Sequence, residues 1–338
     1  MSDAMPATVL DIRTLSKFFP VEMGVFGARS ASRIHAVDKV SFSIQKGETF
    51  GLVGESGCGK STLAKLILKL LNPTEGEVLV LGEDIYSGLI TDKELRRKVQ
   101  MVFQDPYSSL NPRMTVYDII SEPLDIHKLA KGEKKKERVL ELMKLVGLAP
   151  FHLYRYPHEF SGGQRQRVVV ARALAVEPEI LIMDEPVSAL DVSVRAQVLN
   201  LLEKLQKELD LTFVFISHDL SVVRHICNRV ALMYLGQIVE LGEVGRMFDN
   251  PQHPYAEALL GSVPVPDPKM RRLREVLSGE VPTPIDPPNH CRFAGRCKYA
   301  QEICWKQTPE LKEVKENHYV ACFYPSALRG TDDTPFGV

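Results

Sequence analysis

The residues best equipped for chemistry form one short stretch, Gly54-Glu55-Ser56-Gly57-Cys58-Gly59-Lys60-Ser61, in the spacing G-x-x-x-x-G-K-[ST]. Glycines let such a turn close tightly and aim its amide N–H groups at a polyanion. A helix that follows adds the partial positive charge of its N-terminus. Lys60 has the reach and charge for the outer phosphates of a nucleoside triphosphate, and the Ser61 hydroxyl is a short oxygen donor of the kind Mg²⁺ takes. Ser56, Gly57, Cys58, Gly59 and Thr62 complete the expected cradle, with Cys58 a small filler at a variable position.

Two acids lie further along. Asp184 and Glu185 end the apolar run Ile180–Met183. A strand so apolar carries charge only where it leaves the sheet at a ligand-binding edge. There Asp184 would orient Mg²⁺ and Glu185 would polarise an attacking water. His218 follows a second apolar run, Thr212–Ser217, and is expected at the same edge, within reach of a γ-phosphate.

The elements that must position these groups follow from periodicity. Residues 8–15 and 36–45 alternate as strands, separated by a loop over Gly24–Arg33. Glu48–Gly54 reads as a strand and Lys60–Leu71 as a helix, the setting a phosphate loop requires. Further strands are expected at Glu77–Leu81, Val99–Gln104, Ile180–Asp184, Thr212–Ser217 and Val230–Tyr234. Several are continuous apolar runs, as in a parallel sheet covered on both faces. Between Gln104 and Glu177 only helical patterns occur, as at Lys134–Val146 and Gly163–Leu174, so a helical subdomain of about 105–177 is expected inside an α/β core. Proline and turn residues gather after Ser262, which sets a boundary between 1–262 and 263–338.

Bulk properties narrow the functions further. The chain has 338 residues, and 42 Lys and Arg balance 43 Asp and Glu, so bulk charge gives no case for a nucleic-acid partner. No apolar run reaches the length of a membrane span, and Met1–Ser16 carries Asp3 and Asp11 where a signal peptide would be basic and then apolar. Neither a span nor a leader is expected.

Phe160-Ser161-Gly162-Gly163-Gln164-Arg165-Gln166-Arg167 resembles the signature sequence of ABC-type ATPases. Ser161 and the Gly162–Gly163 amides precede a helix and make a second anion cradle. The resemblance implies a P-loop NTPase core with a RecA-like parallel sheet, an antiparallel β subdomain and the inserted helical subdomain. It also implies a head-to-tail dimer with two ATPs at its interface. Catalysis would fall to Glu185, His218 as the switch histidine and Gln104 as the Q-loop glutamine. Gln104 would join Ser61 and Asp184 around Mg²⁺. Ser161, Gly162, Gly163, Gln164 and the D-loop Asp191 would reach the partner's nucleotide. Phe19, in Ser16-Lys17-Phe18-Phe19, stands at the family's adenine-stacking position, with Phe18 as the alternative ring.

Three finer stretches resemble the oligopeptide/dipeptide importer branch of that family. They are Tyr156-Pro157-His158-Glu159, Gln104-Asp105-Pro106-Tyr107-Ser108-Ser109-Leu110-Asn111-Pro112-Arg113 and Pro251-Gln252-His253-Pro254-Tyr255. The branch implies ATP hydrolysis that drives uptake of di- and oligopeptides from the cytoplasmic face of the membrane. Its implied partners are two transmembrane permease subunits, an extracellular binding protein met indirectly, and a homologous, non-identical ATPase. The inserted loop Val21–Ile34 is similar to that of the second ATPase of such pairs. A soluble ABC ATPase of DNA repair or translation is the alternative. It would carry a coiled-coil insertion, zinc modules or tandem ATPase units, and none is visible. A regulatory module in which ATP only sets conformation fits poorly with an intact Glu185 and His218.

Cys291, Cys297, Cys304 and Cys322 crowd the last part of the chain in the spacing C-x₅-C-x₆-C-x₁₇-C. Chemistry alone leaves Zn²⁺, an iron–sulfur cluster or ordinary thiols open, because the spacing lacks the C-x₂-C pairs of zinc ribbons and differs from ferredoxin spacings. The resemblance to the C-terminal extension of peptide-importer ATPases implies a four-cysteine [4Fe–4S] cluster, with Zn²⁺ as the alternative.

Overall fold

A computed structural model of the chain describes residues 7–21, 32–261, 282–326 and 336. In chain order the first strands are β1 (Thr8–Pro20), β2 (Arg33–Gln45), β3 (Thr49–Val53), β4 (Glu75–Val80), β5 (Glu83–Asp84) and β6 (Val99–Val102). They are followed by β7 (Ile180–Asp184), β8 (Thr212–Ser217), β9 (Arg229–Tyr234), β10 (Gln237–Glu243), β11 (Lys312–Lys315) and β12 (His318–Val320). A four-stranded sheet has the order β2-β1-β4-β5, and an eight-stranded sheet has the order β11-β12-β10-β9-β3-β8-β7-β6.

The centre of the large sheet is parallel. β3 pairs with β8 and β9, and β7 joins β8 to β6, all in parallel register. Every residue of β3 and β8 is buried, which is why these strands read as unbroken apolar runs. One face carries the helix Lys60–Ile67 and the antiparallel sheet, whose Leu10, Ile12 and Ile44 share a core with Phe50 and Leu52 of β3. The other face packs the helices Gly162–Leu174, Val192–Leu209 and Leu220–Ile226 through residues such as Val169, Leu202 and Val223.

Residues 106–174 contribute helices and no strand: Pro106–Ser109, Val116–Ile126, Gly132–Leu145 and Gly162–Leu174. Thr115 with Asp118, and Ser161 with Gln164, close reciprocal capping boxes at two of their N-termini. The expected loop Gly24–Arg33 and the boundary after Ser262 lie largely outside the described residues.

Beyond β9 the sheet turns antiparallel, which the sequence reading did not anticipate. β10 folds back on β9 through a Leu235-Gly236 turn, and β12 adds to β10 with Glu240 opposite Val320. Glu240 is fully buried and anchors this edge. Its carboxylate accepts the N–H groups of Gln252 (2.9 Å) and His253 (2.7 Å) and pairs with His318 Nε2 at 2.7 Å. Three polar partners make such burial tolerable. No helix among the described residues is long and apolar enough to cross a membrane.

Candidate active site

The phosphate loop springs from the end of β3, and two of its glycines are fixed by crowding. Gly54 has φ 156° and Gly59 φ 114°. A Cβ added to either would sit 2.2 Å from the Met233 carbonyl oxygen or 2.1 Å from that of Ala36. Only glycine fits both the dihedral and the space. The helix Lys60–Ile67 begins directly after Gly59.

A cavity of about 580 Å³ opens over this loop. Ser56, Gly57, Gly59, Lys60, Ser61 and Thr62 form its floor. Gln104, Asp184, Glu185 and His218 form a second wall, from the carboxyl ends of β6, β7 and β8. The two acids and the histidine expected at one edge therefore meet there. Cys58 lies behind the loop, buried, and burial pushes its thiol pKa up.

Within the cavity the polar groups hold one another. Lys60 Nζ donates to the carbonyl oxygens of Gly54 (2.7 Å) and Glu55 (2.9 Å). Glu185 is clasped on both sides: Gln104 Nε2 donates to one carboxylate oxygen at 2.8 Å, and His218 Nδ1 lies 2.8 Å from the other. Glu185 also sits at φ 47°, a left-handed backbone for a non-glycine residue, which stores about 1–3 kcal/mol of strain at the point where the acid must be aimed. Burial raises the Asp184 pKa, and Glu185 beside it adds to the rise, while a hydrogen bond from Ser61 works in the opposite sense. Ser61, Asp184 and Gln104 thus bring hydroxyl, carboxylate and amide groups to one cavity, a donor set that fits a hard divalent cation.

Other expected site residues are placed elsewhere. Phe19 does not line the cavity; it pairs in register with Ile34, which does, and Lys17 lies over its ring at 5.1 Å. Phe18 packs on His35 with ring centroids 4.2 Å apart. Ser161, Gly162, Gly163, Gln164 and Asp191 stand outside this cavity, at the starts of the helices Gly162–Leu174 and Val192–Leu209. Three lining residues escaped the sequence reading. Ile34 and Ala36 come from β2, and Pro284 comes from beyond residue 281, held by His35 N–H donating to its carbonyl at 2.8 Å.

The iron–sulfur expectation, and with it Zn²⁺, is corrected. Among the described residues no group of three or more His, Cys, Asp or Glu side chains is disposed to hold a metal ion. Cys291, Cys297, Cys304 and Cys322 instead line a small apolar pocket with Phe293, Tyr299 and Phe323. In such surroundings a thiolate is penalised, and burial pushes the Cys291 thiol up to about 12, so it keeps its proton. Clustering in sequence explains the misreading. Cys304 is buried and the other three are half-buried, and they pack here as small hydrophobes.

Comparison with known proteins bears on this geometry. A family model described as "ABC transporter" matches residues 37–188, and one described as "Oligopeptide/dipeptide transporter, C-terminal region" matches residues 239–304. The oligopeptide transport ATP-binding protein AppF of Bacillus subtilis (strain 168) is 53% identical over 327 residues, covering 95% of this chain and 99% of that protein. The dipeptide transport ATP-binding protein DppF of Escherichia coli (strain K12) is 50% identical, covering 91% and 92%. Among solved structures, the dimeric ATP-binding cassette MJ0796 in a post-hydrolysis state with ADP and Pi superposes with a TM-score of 0.60 at 32% identity, covering 70% of this chain and 98% of that one. CbiO1 of Clostridium perfringens, part of the transporter complex cbiONQ, gives 0.62 at 28% identity, covering 72% and 91%.

Proposed function

This chain belongs to the ATP-binding proteins of oligopeptide/dipeptide ABC transporters, and from that premise we propose that it drives uptake of di- and oligopeptides by hydrolysing ATP between itself and a homologous, non-identical ATPase. The observation that carries the reading is Glu185 held between Gln104 and His218 on the same cavity wall as Asp184, facing the phosphate loop.

Lys60 leaves the Gly54 and Glu55 carbonyls and turns its ammonium to the β- and γ-phosphates, while the loop amides of Gly57 to Ser61 cradle them. Ser61, Asp184 and Gln104 would hold Mg²⁺, which would neutralise the phosphate charge. Glu185, oriented by the Gln104 amide, polarises the attacking water, and His218 reaches the γ-phosphate once it releases the Glu185 carboxylate. Phe19 stacks on adenine when the edge it shares with Ile34 closes over the base.

Ser161, Gly162, Gly163, Gln164 and Asp191 act on the partner's nucleotide, so each ATP lies between two subunits. Closure then moves the helical part, about 105–177, against the cytoplasmic ends of two permease subunits, to which an extracellular binding protein delivers the peptide. The cassette occupies 1–262 and an appended segment 263–338. Charge reversal within Asp105–Arg113 uncouples hydrolysis from uptake on this account, and substrate-stimulated hydrolysis at the normal level in those variants would count against it. The direct test is Glu185→Gln in the assembled transporter, measuring peptide uptake, ATP turnover and ATP binding together. Turnover falls at least about a hundredfold with binding retained; turnover at the normal rate removes Glu185 from its role.

A further inference from the structure

The second residue of the phosphate loop, Glu55, is gripped by the far end of the chain. Arg296 Nη1 and Nη2 donate to its two carboxylate oxygens at 2.7 and 3.1 Å, a bidentate pair between residues 241 positions apart. The Arg296 side chain is 6% exposed, against 23% for Glu55. The Glu55 backbone is held as well, with its N–H donating to the Tyr255 hydroxyl at 3.0 Å. Tyr255 and Arg296 both lie within residues 239–304, outside the segment that matches the ATPase family.

The support beneath these contacts is aromatic. Tyr234 of β9, Tyr255 and Phe293 form a triangle of rings with centroids 4.8 to 5.5 Å apart, and the Arg296 guanidinium lies 5.8 Å from the Tyr234 ring. A second attachment lies at the cavity lining from β2. There Ile285 bridges Ile34, and Asp286 accepts the Arg33 N–H at 2.8 Å, which brings Pro284 into the cavity wall.

Two physical facts give this arrangement a task. Lys60 restrains the loop from within only while it bonds the Gly54 and Glu55 carbonyls, and those bonds must break for it to meet a phosphate. Tyr255 and Arg296 are then the restraints on Glu55 that come from outside the loop, beside the Cys58 N–H that its carbonyl accepts within it. In addition, Glu55 is a carboxylate next to a cradle for a polyanion. Left alone it would repel the nucleotide; paired with a guanidinium it does not.

We propose that Arg296 is a positioning residue for the nucleotide: through Glu55 it holds the phosphate loop in its binding shape and cancels the carboxylate beside the cradle. The C-terminal segment is thereby part of the ATP site. The inference rests on the ATP reading of the loop, and Mg·ATP titration of the unaltered full-length chain checks that reading independently. A chain that bound no Mg·ATP would overturn both.

Arg296→Gln is expected to weaken Mg·ATP binding by the full-length chain about tenfold, because it leaves the Glu55 carboxylate uncompensated. Adding Glu55→Gln to that variant restores affinity to within about threefold, and Arg296→Lys alone, which keeps the charge but loses the fork, weakens it about threefold. A purely structural arginine would show no such rescue. Normal affinity for Arg296→Gln, or a double variant no better than Arg296→Gln, overturns the proposal. If Arg296→Gln does not fold, Arg296→Lys in the assembled transporter decides. KM for ATP raised about threefold with kcat within about twofold supports the brace, and an unchanged KM overturns it.

Discussion

Two helix N-termini in this chain are proposed as anion cradles, and they differ in what surrounds them. At Gly54–Ser61 Gly54 and Gly59 press against backbone, Lys60 stands ready, and two acids from the end of β7 face the loop across a cavity. At Ser161–Gln164 the Ser161 hydroxyl caps its own helix by accepting the Gln164 N–H at 3.4 Å, Gln164 Oε1 accepts the Ser161 N–H at 3.0 Å, and the stretch Phe160–Arg167 holds no lysine or carboxylate. The first cradle has what is needed to bind a triphosphate within one chain. The second has amides and a hydroxyl but neither cation nor cation ligands, which suits it to a nucleotide already held by another subunit.

Glycine replacement should separate the two most strongly. Gly59→Ala sets a methyl 2.1 Å from the Ala36 oxygen at φ 114°, and is expected to cost about 3 kcal/mol or more and to abolish Mg·ATP binding. Gly163→Ala meets the Val194 Cγ1 atom at 2.3 Å, a side chain that shifts at a cost of about 1–3 kcal/mol. Chemical denaturation and nucleotide titration of the full-length chain read both effects. If Gly163→Ala weakened binding in the isolated chain, the contrast between the cradles would collapse.

The serines sharpen the comparison. Ser61→Ala removes an oxygen donor and should weaken Mg²⁺-dependent ATP binding about tenfold. Ser161→Ala should cost about 1 kcal/mol of helix capping while leaving binding by the isolated chain as it was. Its loss appears only in turnover by the paired subunits, so the ratio of the two readouts is the quantity to measure.

The smallest effect expected is one of pH. Because burial raises the Asp184 pKa, this carboxylate takes up its proton at a higher pH than an exposed aspartate would. Mg·ATP affinity should therefore begin to fall on acidification before ordinary carboxylates titrate, and recover as pH rises. Asp184→Asn should flatten that part of the profile. An unchanged slope in the variant would move the titration to another group.

Legibility followed sequence distance. The phosphate loop, the acids after β7 and His218 after β8 were readable because each is a local pattern: a motif, or an apolar run ending in charge. The helices Gly132–Leu145 and Gly162–Leu174 differ from the expected spans by one or two residues at their ends. What escaped depends on partners far along the chain. β12 is short, and its pairing with β10 joins residues about eighty positions apart, so no local period marks it. Pro284 and Arg296 reach the ATP cavity and its loop only because β12 and the aromatic triangle dock the chain's end there. The cysteines were misread for the opposite reason: close spacing in sequence invited a metal, while burial among Phe293, Tyr299 and Phe323 is what their surroundings supply.

The sharing of each ATP between subunits is tested most directly by amide hydrogen exchange in the assembled transporter carrying Glu185→Gln, with and without Mg·ATP. The account predicts that ATP slows exchange at Gly57–Ser61 and at Gly162–Gln164 together, with both effects vanishing when pairing of the ATPases is blocked. Protection confined to Gly57–Ser61, with the amides at Gly162–Gln164 exchanging as they do without nucleotide, would contradict it.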